Sequence, residues 1–464
     1  MNKLVRALAV GTALLSVPLA GCDKRLDIEP VNTVRAANAL SSSADVQSLL
    51  RAGYATMTSV DLYGGRLQYT ADLLGDPSGD KSELFWQGTF AQPGEIFRKS
   101  ITKTNSFVSG TWIQAYQAIN IANTVLQNLT KVTTAGDKAR VEGEAKFIRG
   151  AMYFELVRLF GKDWNEGNPT SNLGVPIILM ATNVEDPSSV TGAASKVKRN
   201  TVAEVYMQAI ADLTDAETLL KKSAPGSATV NQFATTYTAS GMLSRVYLQQ
   251  SKFDLAAIEA NKAISSGVFR LTTPIADEFA SKINTNEDIF DTQVNVQSGA
   301  NDLNTFYSTN GRGGDISVND ALLTMYDASD ARGQLFNQDN GVLTTKFDQV
   351  YGNVHVMRLS EMLLTRAESN FRAGTKLGAE PLDDINEVRT RAGLEPLKEA
   401  DLTLDKILLE RHLELAFEGF YLHDLRRNKI DVGDLPYNSP KLIFPIPQRE
   451  IDVNPNLTQN EGYI

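Results

Sequence analysis

Cysteine is the scarcest reactive residue in this chain of 464 residues, since Cys22 is the only one. A single thiol excludes every disulfide within the chain, so side-chain packing has to supply the stability. It also excludes the paired cysteines of many structural zinc sites. In a secreted protein a lone cysteine ordinarily signals intermolecular pairing or a reactive thiol. The residues that precede Cys22 indicate a different role.

Long apolar runs are also scarce. The clearest one extends from Ala7 to Leu19, follows two basic residues and ends just before Cys22. It is shorter than the about 20 apolar residues that span a bilayer as a helix, and its arrangement is that of a secretory signal. The small residues directly before Cys22 are those that bacterial lipoprotein processing requires. We therefore predict a signal peptide over residues 1–21, lipid attachment at Cys22 and a tether over residues 22–35, because acyl chains can hold a protein on a membrane.

Positive charge is in short supply. The chain has 45 basic and 55 acidic residues, which gives a formal net charge of −10. This balance argues against nucleic acid as a partner and against an electrostatic grip on anionic lipid. Sugars, peptides and another protein remain open as partners.

Catalytic motifs are missing from the sequence. It has no His-Glu-x-x-His, no Gly-x-Ser-x-Gly and no phosphate-binding loop. His355, His412 and His423 lie within or beside predicted helices without the spacing of a metal site, and His423 is predicted to form an ion pair with the adjacent Asp424. We therefore predict no enzyme activity, no catalytic residues, no metal and no cofactor.

One enzymatic alternative stays open, because a glycosidase needs only two carboxylates about 5 to 10 Å apart. The best candidates are Asp72, Asp76, Asp80 and Glu83. Their context from Gly75 to Gly79 is typical of a turn, with a chance calcium ion as a further reading. A surface glycan hydrolase is therefore the alternative to a binding protein.

Apolar residues recur at spacings of three and four over most of residues 36–464, which predicts a mostly α-helical domain with halves at about 36–270 and 271–464. Residues 144–160 carry one such stripe, and Gly161 is predicted to end that helix. Residues 243–263 follow the spacing of a tetratricopeptide helix pair, and residues 359–388 form a weaker second pair. Such pairs bury their faces by stacking on neighbours.

Three long polar stretches, Asp61 to Thr89, Asp163 to Pro176 and Val296 to Val318, are predicted to be loops, and loops of this length are usually functional or disordered. The first and third contain aromatic, amide and arginine side chains, which is the composition of a carbohydrate site. For Trp86 a place in the core is an equally open reading. The candidate ligand-binding residues are Tyr63, Arg66, Trp86, Tyr307, Asn310 and Arg312.

Several segments together resemble the SusD/RagB lipoproteins. They are Trp112 to Asn123, Glu144 to Phe154, Arg358 to Met362, Asn386 to Leu394, Phe444 to Ile451 and Asn454 to Asn460. The resemblance implies a SusD-like fold of stacked tetratricopeptide-like pairs with long binding loops. It also implies a surface-exposed position on the outer membrane, a SusC-like TonB-dependent transporter as partner, and capture of an oligosaccharide or a peptide without catalysis. The residues alone also fit a structural helical-repeat adaptor.

Two expectations concern the C-terminal part. Glu410, Glu414 and Glu418 share one predicted helix face, where Arg411, Arg426 or Arg427 are predicted to pair with them. The prolines between residues 445 and 455 are predicted to keep the last segment free of helix, as an extended strap over the surface.

Overall fold

The computed structural model describes residues 40–463, except for 78, 183–196, 222–231, 298 and 339–340. The predicted signal peptide 1–21, the tether 22–35 and Cys22 lie outside these residues. Residues Ser42–Ile464 form one compact unit by their contacts. In the described part of the chain, no helix combines the length and the apolar character needed to cross a bilayer.

Helices dominate the first part of this unit. Several begin at residues whose side chains accept a hydrogen bond from the first turn, as Ser42, Thr201 and Thr235 do in capping boxes. The helices are α1 (Ser43–Met57), α2 (Arg66–Gly75), α3 (Ala91–Phe97), α4 (Ser106–Gln127), α5 (Ala135–Phe160), α6 (Val202–Leu220), α7 (Thr236–Gln249) and α8 (Phe253–Ile264).

Helix α5 is the centre of the N-terminal half. It ends at Gly161 as predicted and begins earlier than the predicted stripe. Neighbours α1, α4 and α6 pack around it, so polar residues such as Arg149 and Glu155 are buried together with Met152 and Leu156. The guanidinium of Arg149 is held by Asp212 of α6 at 2.7 Å, which joins the two helices through a buried ion pair.

Shorter helices and two-residue to five-residue strands alternate in the C-terminal half. The helices are α9 (Ile275–Ala280), α10 (Asp302–Tyr307), α11 (Asp320–Leu323), α12 (Leu359–Ala373), α13 (Pro381–Arg391), α14 (Leu404–Glu414), α15 (Tyr421–Arg427) and α16 (Gln448–Val453). The strands form antiparallel pairs, β1 (Leu84–Trp86) with β3 (Ile316–Val318), β2 (Asp288–Thr292) with β6 (Val354–Arg358), and β4 (Phe336–Asn337) with β5 (Leu343–Thr344).

Both predicted tetratricopeptide-like pairs are present. Helices α7 and α8 form the first pair, α12 and α13 form the second, and α8 packs against α12 so that the pairs stack. The small residues Ala256, Ala260 and Ala263 of α8 are fully buried where the helices approach. The prediction of a mostly α-helical fold with stacked helix pairs is confirmed.

The predicted ion pairs of Glu410, Glu414 and Glu418 exist, but their partners are different from the predicted ones. Glu410 pairs with Arg332 at 2.6 Å, and Glu414 and Glu418 both pair with Arg358, at 2.7 and 2.8 Å. These side chains are buried. We call the whole set the arginine network, and it comprises Arg332, Lys346, Arg358, Arg391, Glu287, Glu410, Glu414 and Glu418.

The arginines that were expected to pair with these glutamates pair elsewhere. Arg411 and Arg427 both bind Asp424, at 2.9 and 2.7 Å, and Arg427 also holds the buried Glu368 at 2.6 Å. The side chain of Arg426 donates to the carbonyl of Arg158. Proximity in sequence was therefore a poor guide to these partners.

The C-terminal segment is a strap with one helical turn in it. The prediction that it lacks helix is wrong for α16, because Pro447 precedes the helix at the N-cap position, where a proline obstructs no helical hydrogen bond. On either side the strap is bound to the N-terminal half. The amide of Phe444 donates to the carbonyl of Leu159 at 2.8 Å, and the side chain of Asn460 donates to the carbonyl of Phe160 at 2.8 Å.

Candidate ligand-binding surface

Pairing of β1 with β3 brings the first and the third predicted loops together. Leu84 lies opposite Val318 and Trp86 lies opposite Ile316, and the amide of Gln87 donates to the carbonyl of Asp315. Gly88 allows the close approach, because a Cβ at this position would lie 2.6 Å from both the carboxyl carbon of Asp315 and the ring of Trp86. Two loops that are distant in sequence thus form one surface.

The first loop contains a helix that the sequence did not predict. All ten residues of α2 are buried, so its polar side chains face the interior and interrupt the apolar stripe that identifies a surface helix. The prediction of a loop from Asp61 to Thr89 is therefore wrong over α2. The stretch from Asp163 to Pro176 has no helix or strand of its own, as predicted.

Trp86 is a core residue. Of the two interpretations that the sequence left open, ligand contact and core, the structure supports the core. It is 7% exposed and packs on Phe306 at a ring-centroid distance of 5.9 Å. Phe306 also contacts the rings of Phe90 and Phe107. Because strand residues alternate between faces, an inward Trp86 places Phe85 outward, and Phe85 is 51% exposed.

Tyr307 is also buried, which corrects the expectation that it is an exposed platform. It has no exposed surface, and its hydroxyl is 3.1 Å from Oδ2 of Asp72. The amide of Gly419 donates to the other oxygen of Asp72. Burial raises the pKa of Asp72 to about 8 in spite of these hydrogen bonds. Tyr307 therefore satisfies a buried carboxyl group and presents no face to a ligand.

Tyr63 and Arg66 have structural roles as well. The hydroxyl of Tyr63 donates to Glu155 at 2.7 Å, and this ring is 2% exposed. Arg66 binds Asp302 at 3.1 Å and also binds Asp61, while its guanidinium lies 4.0 Å above the ring of Phe107. These contacts occupy both side chains and correct their assignment as exposed ligand contacts.

Asn310 and Arg312 are the two candidates that are exposed. The guanidinium of Arg312 lies 4.4 Å above the ring of Phe90, and its Nε is 3.8 Å from Oδ2 of Asp315. Asn310 donates to the carbonyl of Asp348 at 3.1 Å. We call the set of Phe90, Asn310, Arg312 and Asp315 the loop platform. Phe85 lies on the opposite face of β1 from Trp86 and contacts the ring of Phe97.

Sequence reasoning missed the exposed Phe85 and two members of the loop platform, Phe90 and Asp315. The sequence has no signal for Phe85, because residues 84–86 are all apolar and their burial alternates only in the folded strand. The signal for Phe90 and Asp315 was absent, because their place depends on pairing between segments more than 200 residues apart, as the hydrogen bond of Gln87 to Gly314 shows.

Three of the four carboxylates of the glycosidase alternative, Asp72, Asp76 and Glu83, are engaged in structural contacts, whereas Asp80 is exposed. Asp76 accepts hydrogen bonds from Ser82 and from the amides of Glu83 and Leu84 at 2.6 to 2.8 Å, which fixes the start of β1. Glu83 binds Nε2 of His412 at 2.8 Å. Burial raises the pKa of Asp76 to about 6. The hydrogen bonds saturate the oxygens that a turn-bound calcium would need.

His423 does not form the predicted ion pair with Asp424. The histidine is 3% exposed, and burial together with the nearby Arg158 and Arg426 holds its pKa well below the usual value. Asp424 binds Arg411 and Arg427 instead. The prediction was wrong because a buried imidazole among arginines is favoured in its neutral form.

Two sequence profiles match this chain. Residues 26–248 match a family described as starch-binding and associating with the outer membrane, and residues 282–435 match the SusD family. This chain belongs to the SusD/RagB family. The resemblance carried by the motifs is therefore confirmed.

Other SusD-like proteins are similar to this chain in sequence or in fold. A SusD-like protein of Formosa agariphila is 27% identical over 531 residues, covering 97% of this chain and 98% of that protein. The starch-binding protein SusD of Bacteroides thetaiotaomicron is 33% identical over 128 residues, covering 24% of this chain and 22% of that protein. The solved structure of a SusD superfamily protein from Bacteroides vulgatus superposes with a TM-score of 0.80 at 22% identity, covering 91% of this chain and 99% of that one.

Proposed function

We propose that this SusD/RagB protein captures an oligosaccharide at the outer surface of the outer membrane and passes it to a SusC-like TonB-dependent transporter. Membership of a family described as starch-binding and associating with the outer membrane supports the ligand class and the location. The proposal goes beyond family membership in three respects, namely the transporter, the lipid anchor at Cys22 and the use of the loop platform.

The exposed stack of Arg312 on Phe90 is the observation that carries this proposal. A sugar ring has an apolar face and a rim of hydroxyl groups, so it is bound by an aromatic surface with planar polar groups beside it. Asp315 Oδ2 is a buried oxygen that accepts no hydrogen bond from the described chain, and Nε of Arg312 is 3.8 Å away. Movement of the exposed Arg312 side chain would open this oxygen to a sugar hydroxyl, which can donate to the carboxylate and accept from the guanidinium.

Binding without hydrolysis is part of the proposal. The carboxylates that a glycosidase would use, Asp76 and Glu83, accept hydrogen bonds from the protein itself. Incubation of the purified protein with any glycan that it binds is expected to leave that glycan intact. Hydrolysis that disappears in the Asp76→Asn or Glu83→Gln variant would contradict this expectation and support the hydrolase alternative.

The ligand experiment is calorimetric titration of the purified protein with a panel of oligosaccharides and with a set of short peptides. Arg312→Ala and Phe90→Ala are each expected to weaken glycan binding about thirtyfold, because an interface hot spot contributes about 2 kcal/mol. Two variants outside the loop platform serve as matched controls. Arg51→Ala removes an exposed arginine of α1, and Met207→Ala removes an apolar side chain of α6 that is 60% exposed. Wild-type affinity in both platform variants, or binding of peptides alone, would overturn the proposal.

Trp86→Ala distinguishes the platform from the core beneath it. Loss of a buried tryptophan is expected to cost about 3 to 5 kcal/mol of folding free energy. The folded fraction of this variant is expected to bind glycan with nearly the wild-type affinity. A thirtyfold loss of affinity in the folded fraction would instead identify Trp86 as a direct ligand contact.

The anchor is tested separately with Cys22→Ala in cells. This variant is expected to lose the lipid and to leave the membrane fraction, because Cys22 is the only cysteine in the sequence. A protein that stays membrane-bound and is processed as before would contradict the anchor and leave the glycan proposal untouched.

A further inference from the structure

A buried group of four ionisable side chains lies away from the loop platform. Glu278 comes from α9, Asp288 and Asp291 come from β2, and His355 comes from β6. The three acids have no exposed surface and His355 is 9% exposed. We call these four residues the acidic cluster.

A β-bulge aims both aspartates at the histidine. Residues three apart in a regular strand point to opposite faces, which would separate Asp288 from Asp291. The pairing of β2 with β6 shifts register on both sides of Phe290, and such a bulge redirects a side chain. As a result, Asp291 lies opposite His355 in the ladder and Asp288 contacts the same imidazole.

The three carboxylates converge on one ring nitrogen. Nδ1 of His355 is 2.6 Å from Asp288, 3.6 Å from Glu278 and 3.8 Å from Asp291. Ligand atoms of Glu278, Asp288 and His355 all lie within 4.8 Å of one another. Tetrahedral bonds of about 2.1 Å place ligand atoms about 3.4 Å apart, so small movements of these side chains would complete a coordination sphere.

The outer oxygens of two carboxylates are already fixed by the protein. Oε2 of Glu278 accepts from the hydroxyls of Thr272 and Thr285 at 2.6 Å, and Oδ2 of Asp288 accepts from the amide of Thr285 at 2.6 Å. Such contacts orient metal ligands and raise affinity. The inner oxygen of Glu278 and both oxygens of Asp291 accept no hydrogen bond from the described chain.

We propose that the acidic cluster binds one divalent transition-metal ion of the zinc type, with Glu278, Asp288, Asp291 and His355 as ligands. The imidazole nitrogen favours zinc over calcium, which prefers oxygen ligands alone and in larger number. Bound at Nδ1, the ion requires the imidazole proton on Nε2. The proposal departs from the sequence-based expectation of no metal, because ligands from three elements share no local spacing motif.

The surrounding charges fit an ion of charge two. Glu287, Lys346 and Arg358 lie next to the cluster but belong to the arginine network, where carboxylates and cations face each other. In the acidic cluster, by contrast, three carboxylates face a single imidazole. A divalent ion would compensate these carboxylates directly.

The test measures zinc in the full-length chain, purified without a histidine tag. The site is buried, so the chain is refolded from urea with equimolar ZnCl₂, desalted and analysed by mass spectrometry for metal content. About one zinc ion per chain is expected. X-ray absorption is expected to show an imidazole nitrogen and oxygen neighbours at about 2.0 to 2.2 Å. Loss of zinc on desalting, or a spectrum without imidazole, would overturn the proposal.

The diagnostic variant is Asp291→Asn, which keeps the side-chain volume and removes one ligand charge. Its zinc dissociation constant is expected to rise at least about tenfold. The matched control is Glu83→Gln, which removes a carboxylate from the other His–Glu contact at 2.8 Å and is expected to retain one zinc. Equal zinc affinity in Asp291→Asn and in the wild type would contradict the assignment. If Asp291→Asn fails to fold, the wild-type absorption spectrum alone decides.

Discussion

The arginine network and the acidic cluster are neighbouring buried regions that are both rich in carboxylates, yet their charges are balanced differently. In the arginine network each carboxylate faces a cation, as Glu414 faces Arg358 and Arg391. In the acidic cluster three carboxylates face one imidazole. Glu287 connects the two regions, because it binds Arg358 at 2.7 Å and raises the pKa of Glu278.

This difference shows that the protonation state of a buried carboxyl group depends on the groups that surround it. Burial alone would raise the pKa of Glu414 and Glu418, but the adjacent arginines outweigh burial and hold both pKa values below the usual range. Burial raises the pKa of Asp291, and the charge of Asp288 raises it further. Glu414 and Glu418 are therefore ionised at neutral pH, whereas Glu278 and Asp291 favour their protonated forms.

The largest expected effect comes from removing the central cation of the arginine network. Arg358→Met would leave Glu287, Glu414 and Glu418 buried without this partner. Breaking a buried ion pair on one side costs about 3 to 5 kcal/mol, because an uncompensated charge remains in the interior. Urea unfolding of the variant and the wild type at pH 7 measures the loss.

The control for this prediction is Lys376→Met, which removes an ion pair of similar length at the surface. Lys376 lies 2.6 Å from Glu380, and both side chains are largely exposed. Exposed pairs contribute little to stability, so the unfolding midpoint is expected to stay unchanged. Equal losses in the two variants would show that the arginine network contributes no more than a surface pair.

An intermediate effect is expected from pH in the metal-free protein. The folded-state pKa values of Glu278 and Asp72 are both raised to about 8. Groups with raised folded-state pKa values stabilise the folded state fully below their unfolded values near 4, and this contribution is lost as pH rises through about 8. The free energy of unfolding, measured in urea with EDTA from pH 6.5 to 8.5, is therefore expected to fall. The slope is at most about 1.4 kcal/mol per pH unit for each proton released.

Glu278→Gln measures how much the acidic cluster contributes to the fall of the free energy of unfolding with pH. The variant is expected to lose less stability than the wild type over the same pH range, and saturating zinc is expected to flatten the wild-type slope. The arginine network has the opposite dependence, because carboxylates with lowered pKa values lose their contribution only in acid. Stability that rises from pH 6.5 to 8.5 would contradict the prediction.

The smallest expected effect is at Asp291, where the stability difference between Asp291→Asn and the wild type is expected to change sign when zinc is added. Without metal, Asp291→Asn removes a carboxyl group that burial disfavours in its charged form, so the variant is expected to be more stable than the wild type at pH 8. With saturating zinc, the wild type is expected to be the more stable protein, because an ion that binds only the folded state stabilises it. Thermal unfolding with EDTA and with ZnCl₂ compares the two. A destabilised variant under both conditions would contradict the expectation.

The stacked helix pairs could be predicted because each buries one face, which leaves a periodic stripe in the sequence. Helix α5 was found from such a stripe, although its bounds were not. Helix α2 was missed because it is buried on all sides, so Gln68, Thr70 and Asp72 interrupt the apolar pattern. The partners of Glu410 and Glu414 were missed because Arg332 and Arg358 lie more than 50 residues away in sequence.

The ligand-binding candidates illustrate the same limit. Their segments do meet, through β1 and β3, but the sequence could not distinguish aromatic side chains that fill the core from those at the surface. Tyr307 is buried because it satisfies Asp72, whereas Arg312 is exposed above Phe90. Strand geometry places Phe85 and Trp86 on opposite faces, but which of the two faces the core depends on long-range pairing, as it does for the other candidates.

The C-terminal strap has a consequence for how the chain reaches its native state. Asn460 donates to Phe160 across 300 residues, and Arg199 donates to the carbonyl of Thr458 across 259 residues. Contacts between such distant residues slow folding, because a long loop has to close before they form. During synthesis the N-terminal part of the chain is made first. The end of helix α5 therefore lacks its contacts with the C-terminal strap until the last residues have been made. Completion of the fold is therefore a late event, and the half that is made first depends on the segment that is made last.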